Sequence, residues 1–208
     1  MFALRLRAVL STRLSVPLIL ASASSIRHQM LRSAGVEVEV VPSTVDEQDV
    51  KARLTDASAI AAELATAKAI AVSQARPDDW VIGSDSVVTV TGQIFDKPRD
   101  REDAADHLRC FSGKTMTLTS AVALARGGAL DWRHVDQATL QVRSLSDSFI
   151  DDYLDAEWPD VGYTVGVFRL EGRGVQLFDR IDGDHFTILG MPLLPLLGAL
   201  RERGLLSV

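Results

Sequence analysis

The chain has 208 residues, 47% of them hydrophobic and 24% charged, with a formal net charge of −6. That composition supports a packed core and excludes a disordered chain, and the acidic balance gives no bulk attraction to a nucleic-acid polymer. A single cysteine, Cys110, excludes both a disulfide framework and a cysteine zinc site and fits a reducing, cytoplasmic compartment.

Residues 1–16 carry Arg5, Arg7 and Arg13 and no acid. They read as an N-terminal extension without packed structure, ahead of one domain over residues 17–208. No segment offers about twenty uninterrupted apolar residues, so no membrane span is expected. Leu18 to Ala21 reads as a buried first strand ending in small polar residues. Residues 25–35 follow as a helix, with Ile26, Met30 and Leu31 on one face and Gly35 as its stop. Val36, Val38 and Val40 alternate with Glu37 and Glu39, which predicts a half-exposed strand. The run VDEQD, containing Glu47, reads as a polar loop. Residues 56–75 give a strong alanine-rich helix signal, with Ile60 and Leu64 at helical spacing. Lys68 in that helix is a snorkelling surface lysine unless other features recruit it.

The β-branched run WVIGSDSVVTV, residues 80–90, contains Asp85 between two serines. Asp85 is expected where one buried segment ends and another begins. A buried carboxylate is costly unless it is hydrogen bonded, paired or bound to metal. Asp85 therefore either caps neighbouring amides or holds a cation and activates water. Thr91-Gly92 reads as a turn, and Lys97 precedes Pro98 in a tight loop. Asp100 is placed to cap a helix over residues 101–111, with Asp103 as its reciprocal partner. Two strands follow, over residues 117–125 and 135–145, joined by a turn at 126–131. Ser146 starts a short helix. Residues 163–172, 174–183 and 184–190 read as strands between glycine turns. A last helix begins with Pro192 in its first turn. This order predicts a mixed, elongated, twisted sheet flanked by helices, an α/β fold curling into two lobes around a central cleft.

The tetrad SGKT at residues 112–115 does not make a phosphate loop, because Leu108 stands where that pattern needs glycine. His28, His107, His134 and His185 form no ligand motif. Ser22 and Ser24 have no His–Asp partners for acyl transfer. A different set fits polyphosphate chemistry. Ser22, Ser24 and Arg27 lie between the first strand and the first helix and can cradle phosphate. Glu47, Asp85 and Lys97 add carboxylates to hold a divalent metal and orient water, and a base to offset charge.

The segments LILASASSIRHQML, VDE, LATAKA, GSDSVV, FDKPRDREDAADHLRCFSGKT and ILGMPL occur here in order, over residues 17–201. In that order and spacing the chain resembles the Maf-like nucleoside triphosphate pyrophosphatases. The resemblance implies a two-lobed, often dimeric α/β enzyme, hence a homodimer. It also implies a Mg²⁺- or Mn²⁺-dependent cleavage of a nucleoside triphosphate to monophosphate and pyrophosphate, acting on modified or non-canonical nucleotides. It points to Ser22, Arg27, Glu47, Lys68 and Lys97 as site residues and to Asp85 as the proton acceptor, with Glu47 and Asp85 at the metal. Two departures stand out. Ile26 replaces the first of two arginines, and VGVFRLEG puts Phe168 for Tyr and Glu171 for Gln. Glu171 is then a substrate contact, a metal ligand or a partner of Arg173. The alternatives are a phosphatase releasing orthophosphate and a nucleotide-binding division-control protein with weak turnover.

Overall fold

The computed structural model describes residues 18–207; the expected extension at residues 1–16 lies outside the described residues. Among the described residues seven strands form one mixed sheet, β1 (Leu18–Leu20), β2 (Glu39–Val40), β3 (Trp80–Val90), β4 (Gln93–Phe95), β5 (Thr115–Arg126), β6 (Ala129–Val142) and β7 (Phe178–Asp182). The order is β2-β1-β3-β5-β6-β7, with β4 paired to β3. The β2-β1-β3 pairings are parallel and the rest antiparallel. The mixed sheet flanked by helices agrees with the expected fold class.

Helices α1 (Ser25–Ser33), α3 (Ala57–Ala75), α4 (Arg101–Phe111) and α5 (Asp147–Glu157) fall where the sequence puts them. Their starts are capped by side chains at α3, α4 and α5. Asp56 accepts from Ala59 N, Asp100 from Asp103 N, and Ser146 from Phe149 N. The reciprocal contact of Asp103 goes one residue upstream of the expected one, to Arg99 N at 3.0 Å. The β3–β4 hairpin turns on Thr91 (φ 50°) and Gly92 (φ 81°), the two left-handed residues of a tight hairpin turn.

Several expectations fail for local reasons. VDEQD is not a loop, since Asp46 accepts from Gln48 N and starts α2 (Glu47–Arg53), whose first turn is acidic and last turn basic. The alternating valines pair only at Glu39–Val40; Val36 is buried in the core and Val40 exposed. Residues 163–172 form no strand, because Gly166 (φ 87°) and Val167 (φ 58°) are successive left-handed residues that break an extended path. Residues 184–190 form the short helix α6 (His185–Ile188), because Asp184 accepts from both Phe186 N and Thr187 N. The last helix, α7, runs Leu193–Glu202 with Pro192 just before it.

Side chains alternate across β3 and sort the core. Val81 and Val87 pack with α3 on one face. Ile82 packs with α1 and α7 on the other. Farther along that second face, Val88 and Val90 join a cluster with α4, α5, β5 and β6. Ser84 and Ser86 interrupt the apolar run between those two clusters. A gap in the sheet coincides with this break. One edge of β3 is paired with β5 from Val81 to Val90. The other edge is paired with β1 at residues 80–82 and with β4 at residues 88–90. Among the described residues, no strand covers residues 83–87 on that edge.

Candidate active site

The gap draws in side chains from several elements. The approach of α3 is the first cause. A Cβ on Gly83 would lie 2.1 Å from Ala65 O and 2.7 Å from Ala69 N, so only glycine lets the helix backbone touch the strand here. Lys68, between those two alanines, is thereby brought over Asp85, two residues beyond Gly83 on the same face. Asp85 lies in mid-strand, paired with Ala121, and not between two segments as the sequence suggests. Lys68 Nζ donates to Asp85 Oδ1 at 2.6 Å and to Glu47 Oε1 at 2.6 Å. Lys68 is therefore not a snorkelling surface lysine. Side-chain exposure rises along this chain, from 9% at Asp85 and 11% at Lys68 to 44% at Glu47, so the Glu47 end faces solvent.

Burial works against the charge on Glu47. The hydrogen bond from Lys68 and the charges of Lys68, Lys51 and Lys97 outweigh it and hold the carboxyl below its ordinary range. Lys51 belongs to no sequence expectation. It lies one helical turn after Glu47, 3.9 Å from its Oε2, and its Nζ also donates to Asp96. Had α2 been legible, that spacing would have exposed Lys51. Lys97 itself is exposed on the loop after β4 and reaches the group only through its charge.

Arg27, from α1, enters the gap from the opposite face. Its Nε donates to Gly190 O at 2.9 Å, one terminal nitrogen to Ser22 Oγ at 3.2 Å and Ser84 O at 3.0 Å, and the other to Ser86 Oγ at 3.0 Å. Desolvation pushes the guanidinium down, against the opposing charges of Asp85 and Glu47. Ser22 is buried, and its Oγ also accepts from Ser24 N at 3.2 Å.

The expected residues Ser22, Arg27, Glu47, Lys68 and Asp85 thus converge on one stretch of β3. Glu171 does not join them. It is exposed, 3.7 Å from Arg169 and not paired with Arg173, at a cavity of about 330 Å³ that Ile26 also lines. For a cation, Glu47 and Asp85 offer two hard oxygen donors. Among the described residues no third histidine, cysteine or carboxylate completes a protein cage. Two carboxylates with substrate phosphate oxygens are the usual donor set of magnesium, so the pair fits such an ion only together with substrate.

A sequence model described as "Maf-like protein" matches residues 17–203. A nucleoside triphosphate pyrophosphatase of Granulibacter bethesdensis is 48% identical over 195 residues, covering 92% of this chain and 99% of the relative. A 7-methyl-GTP pyrophosphatase of Rhizobium etli is 47% identical over 191 residues, covering 90% and 96%. A nucleoside triphosphate pyrophosphatase of Nitrobacter winogradskyi is 46% identical over 196 residues, covering 93% and 97%. With a family match over nearly its whole length and relatives of this identity, the chain belongs to the Maf-like protein family.

Proposed function

We propose that the protein hydrolyses nucleoside triphosphates at the α–β phosphoanhydride, giving nucleoside monophosphate and pyrophosphate, with Mg²⁺ or Mn²⁺ as cofactor. The observation that carries this reading is the Asp85–Lys68–Glu47 chain at the unpaired stretch of β3. It combines a nearly buried carboxylate, a cation bonded to it and a second carboxylate open to solvent. Relatives named as nucleoside triphosphate and 7-methyl-GTP pyrophosphatases support the same class of reaction.

Asp85 is the proton acceptor. Its Oδ1 is held by Lys68, which leaves Oδ2 as the oxygen that can face a water in the gap. That water attacks the α-phosphorus, its proton passes to the Asp85 carboxylate, and pyrophosphate leaves on the opposite side. Pyrophosphate is a good leaving group and needs little proton donation. Lys97 and Lys51 stand near the open end, where the charge of the departing group collects. A divalent ion, when bound by Glu47, Asp85 and phosphate oxygens, supplies further neutralisation of that charge.

Product chromatography on the purified protein, with and without Mg²⁺ or Mn²⁺ and across canonical and modified triphosphates, tests the reading. Equal amounts of monophosphate and pyrophosphate are expected, only with metal. Orthophosphate as the first product would defeat the assignment.

A further inference from the structure

A guanidinium carries five N–H donors in a rigid fork, and phosphate is gripped by two parallel donors of that fork. In Arg27 four of the five are already directed at protein acceptors, namely Gly190 O, Ser22 Oγ, Ser84 O and Ser86 Oγ. One N–H remains for anything in the gap. Two-pronged binding of a phosphate would require breaking part of this set.

The acceptor side is equally built. Gly190 O, which takes Arg27 Nε, also lies 3.1 Å from Ser84 Oγ and 3.0 Å from Ser86 Oγ. Ser86 Oγ lies 2.9 Å from Ser120 Oγ, its cross-strand partner on β5. Ser120 donates to Thr187 O at 2.8 Å, and Thr187 Oγ1 donates to Asp136 Oδ2 on β6 at 2.8 Å. Ser84, Ser120 and Thr187 are fully buried. Gly190 has φ 102°, and a Cβ there would lie 3.2 Å from Ser86 Oγ and 3.6 Å from Arg27. The segment ILGMPL, which the reaction itself leaves without a task, is therefore tied to α1, β3, β5 and β6 through one hydroxyl network. Polar networks of this kind, when satisfied, fix a single arrangement.

We propose that Arg27, Gly190 and the hydroxyls between them form a positioning unit. It sets the unpaired edge of β3, and with it Ser22 and Asp85, and Arg27 serves hydrolysis through this unit and not by gripping phosphate. The inference rests on the pyrophosphatase reading given above.

Two variants separate the roles. Arg27→Lys keeps the charge, which suffices for a point contact with phosphate, but loses the fork. Ser120→Ala removes one buried hydroxyl that touches neither Asp85 nor Arg27 and reaches Arg27 only through Ser86. For both, kcat, KM and the melting temperature are measured beside the wild type. Positioning predicts that Arg27→Lys lowers kcat by about 10²-fold or more, the cost typical of small misplacement, while KM stays within about threefold of wild type. It predicts that Ser120→Ala lowers kcat by a smaller factor in the same sense, again with KM held. A near-normal kcat with raised KM in Arg27→Lys would restore the phosphate grip and overturn the proposal. So would a normal kcat in Ser120→Ala, even with a lowered melting temperature, since the network would then be only structural. A wild type that forms no pyrophosphate fails at the earlier step and removes both readings together.

Discussion

The two faces of β3 differ in kind although they alternate along the same eleven residues. On the face toward α3, Gly83 and Asp85 meet a helix backbone and a lysine, and the polar contacts are between full charges. On the other face, Ser84 and Ser86 meet Arg27 and a backbone carbonyl, and most contacts are between neutral groups. The charged face opens toward solvent through Glu47, whereas the hydroxyl face closes into buried Ser120 and Thr187. Charges near solvent can exchange partners when a charged ligand arrives. A buried hydroxyl network cannot do so without leaving a donor unsatisfied, which costs about 1–3 kcal/mol per group. One strand thus presents a face suited to change during a reaction and a face suited to holding still.

The sharpest way to break this contrast is at Asp85. Asp85→Asn keeps size and a hydrogen-bond acceptor but removes the carboxylate proposed as the base. Turnover is expected to fall by about 10²–10⁴-fold, the usual contribution of general-base catalysis. Circular dichroism should change little, because the serine network on the opposite face is untouched. Rate and spectrum on one preparation decide the matter, and a folded variant with wild-type turnover leaves Asp85 as a structural partner of Lys68.

Gly83→Ala tests how the charged face is assembled. The added methyl meets helix backbone at 2.1 Å, which a side-chain rotamer cannot relieve. Overpacking of this kind typically costs about 1–3 kcal/mol and here should reach the top of that range or beyond. If α3 shifts to make room, Lys68 leaves Asp85 and turnover falls along with the denaturation midpoint. Wild-type stability in urea would mean that the contact between helix and strand is looser than these distances.

The contrast also explains what the sequence could and could not reveal. Helices α3, α4 and α5, each started by a capping side chain, were legible because the signal is local, alanine propensity in α3 and apolar periodicity in α4 and α5. Ser22, Arg27, Glu47 and Asp85 were legible as a polyphosphate-type set from their chemistry, and Lys68 joined them through the family resemblance, though their connections were not legible. Nothing local says that Lys68 bonds two carboxylates at once, since that depends on α3 touching Gly83. The role of Gly190 was hidden for the same reason, as its partners lie on elements far apart in the chain. Residues 184–190 show a subtler failure. Their apolar β-branched content suggests a strand, but Asp184 offers two amide acceptances that only a helical start can use.

The smallest effect expected belongs to the solvent end of the charged chain, and its sign follows from Glu47. The folded-state pKa of Glu47 lies below its ordinary value, because Lys68, Lys51 and Lys97 outweigh the cost of its burial. A carboxylate depressed in the folded state stabilises the fold above its unfolded pKa, about 4.3 for glutamate. That contribution is lost as pH falls through the lower folded value. The side chain is 44% exposed, so solvent screening keeps the contribution within about 1 kcal/mol. Glu47→Gln still accepts a hydrogen bond from Lys68 but has no charge to lose. Melting temperatures of the two proteins from pH 7 down to pH 3 should therefore differ by a constant margin in favour of wild type near neutrality, with the margin shrinking below about pH 4.3. A margin that grows on acidification would mean that desolvation, and not the three lysines, governs Glu47. The open end of the charged face would then be as fixed as the serine face behind it.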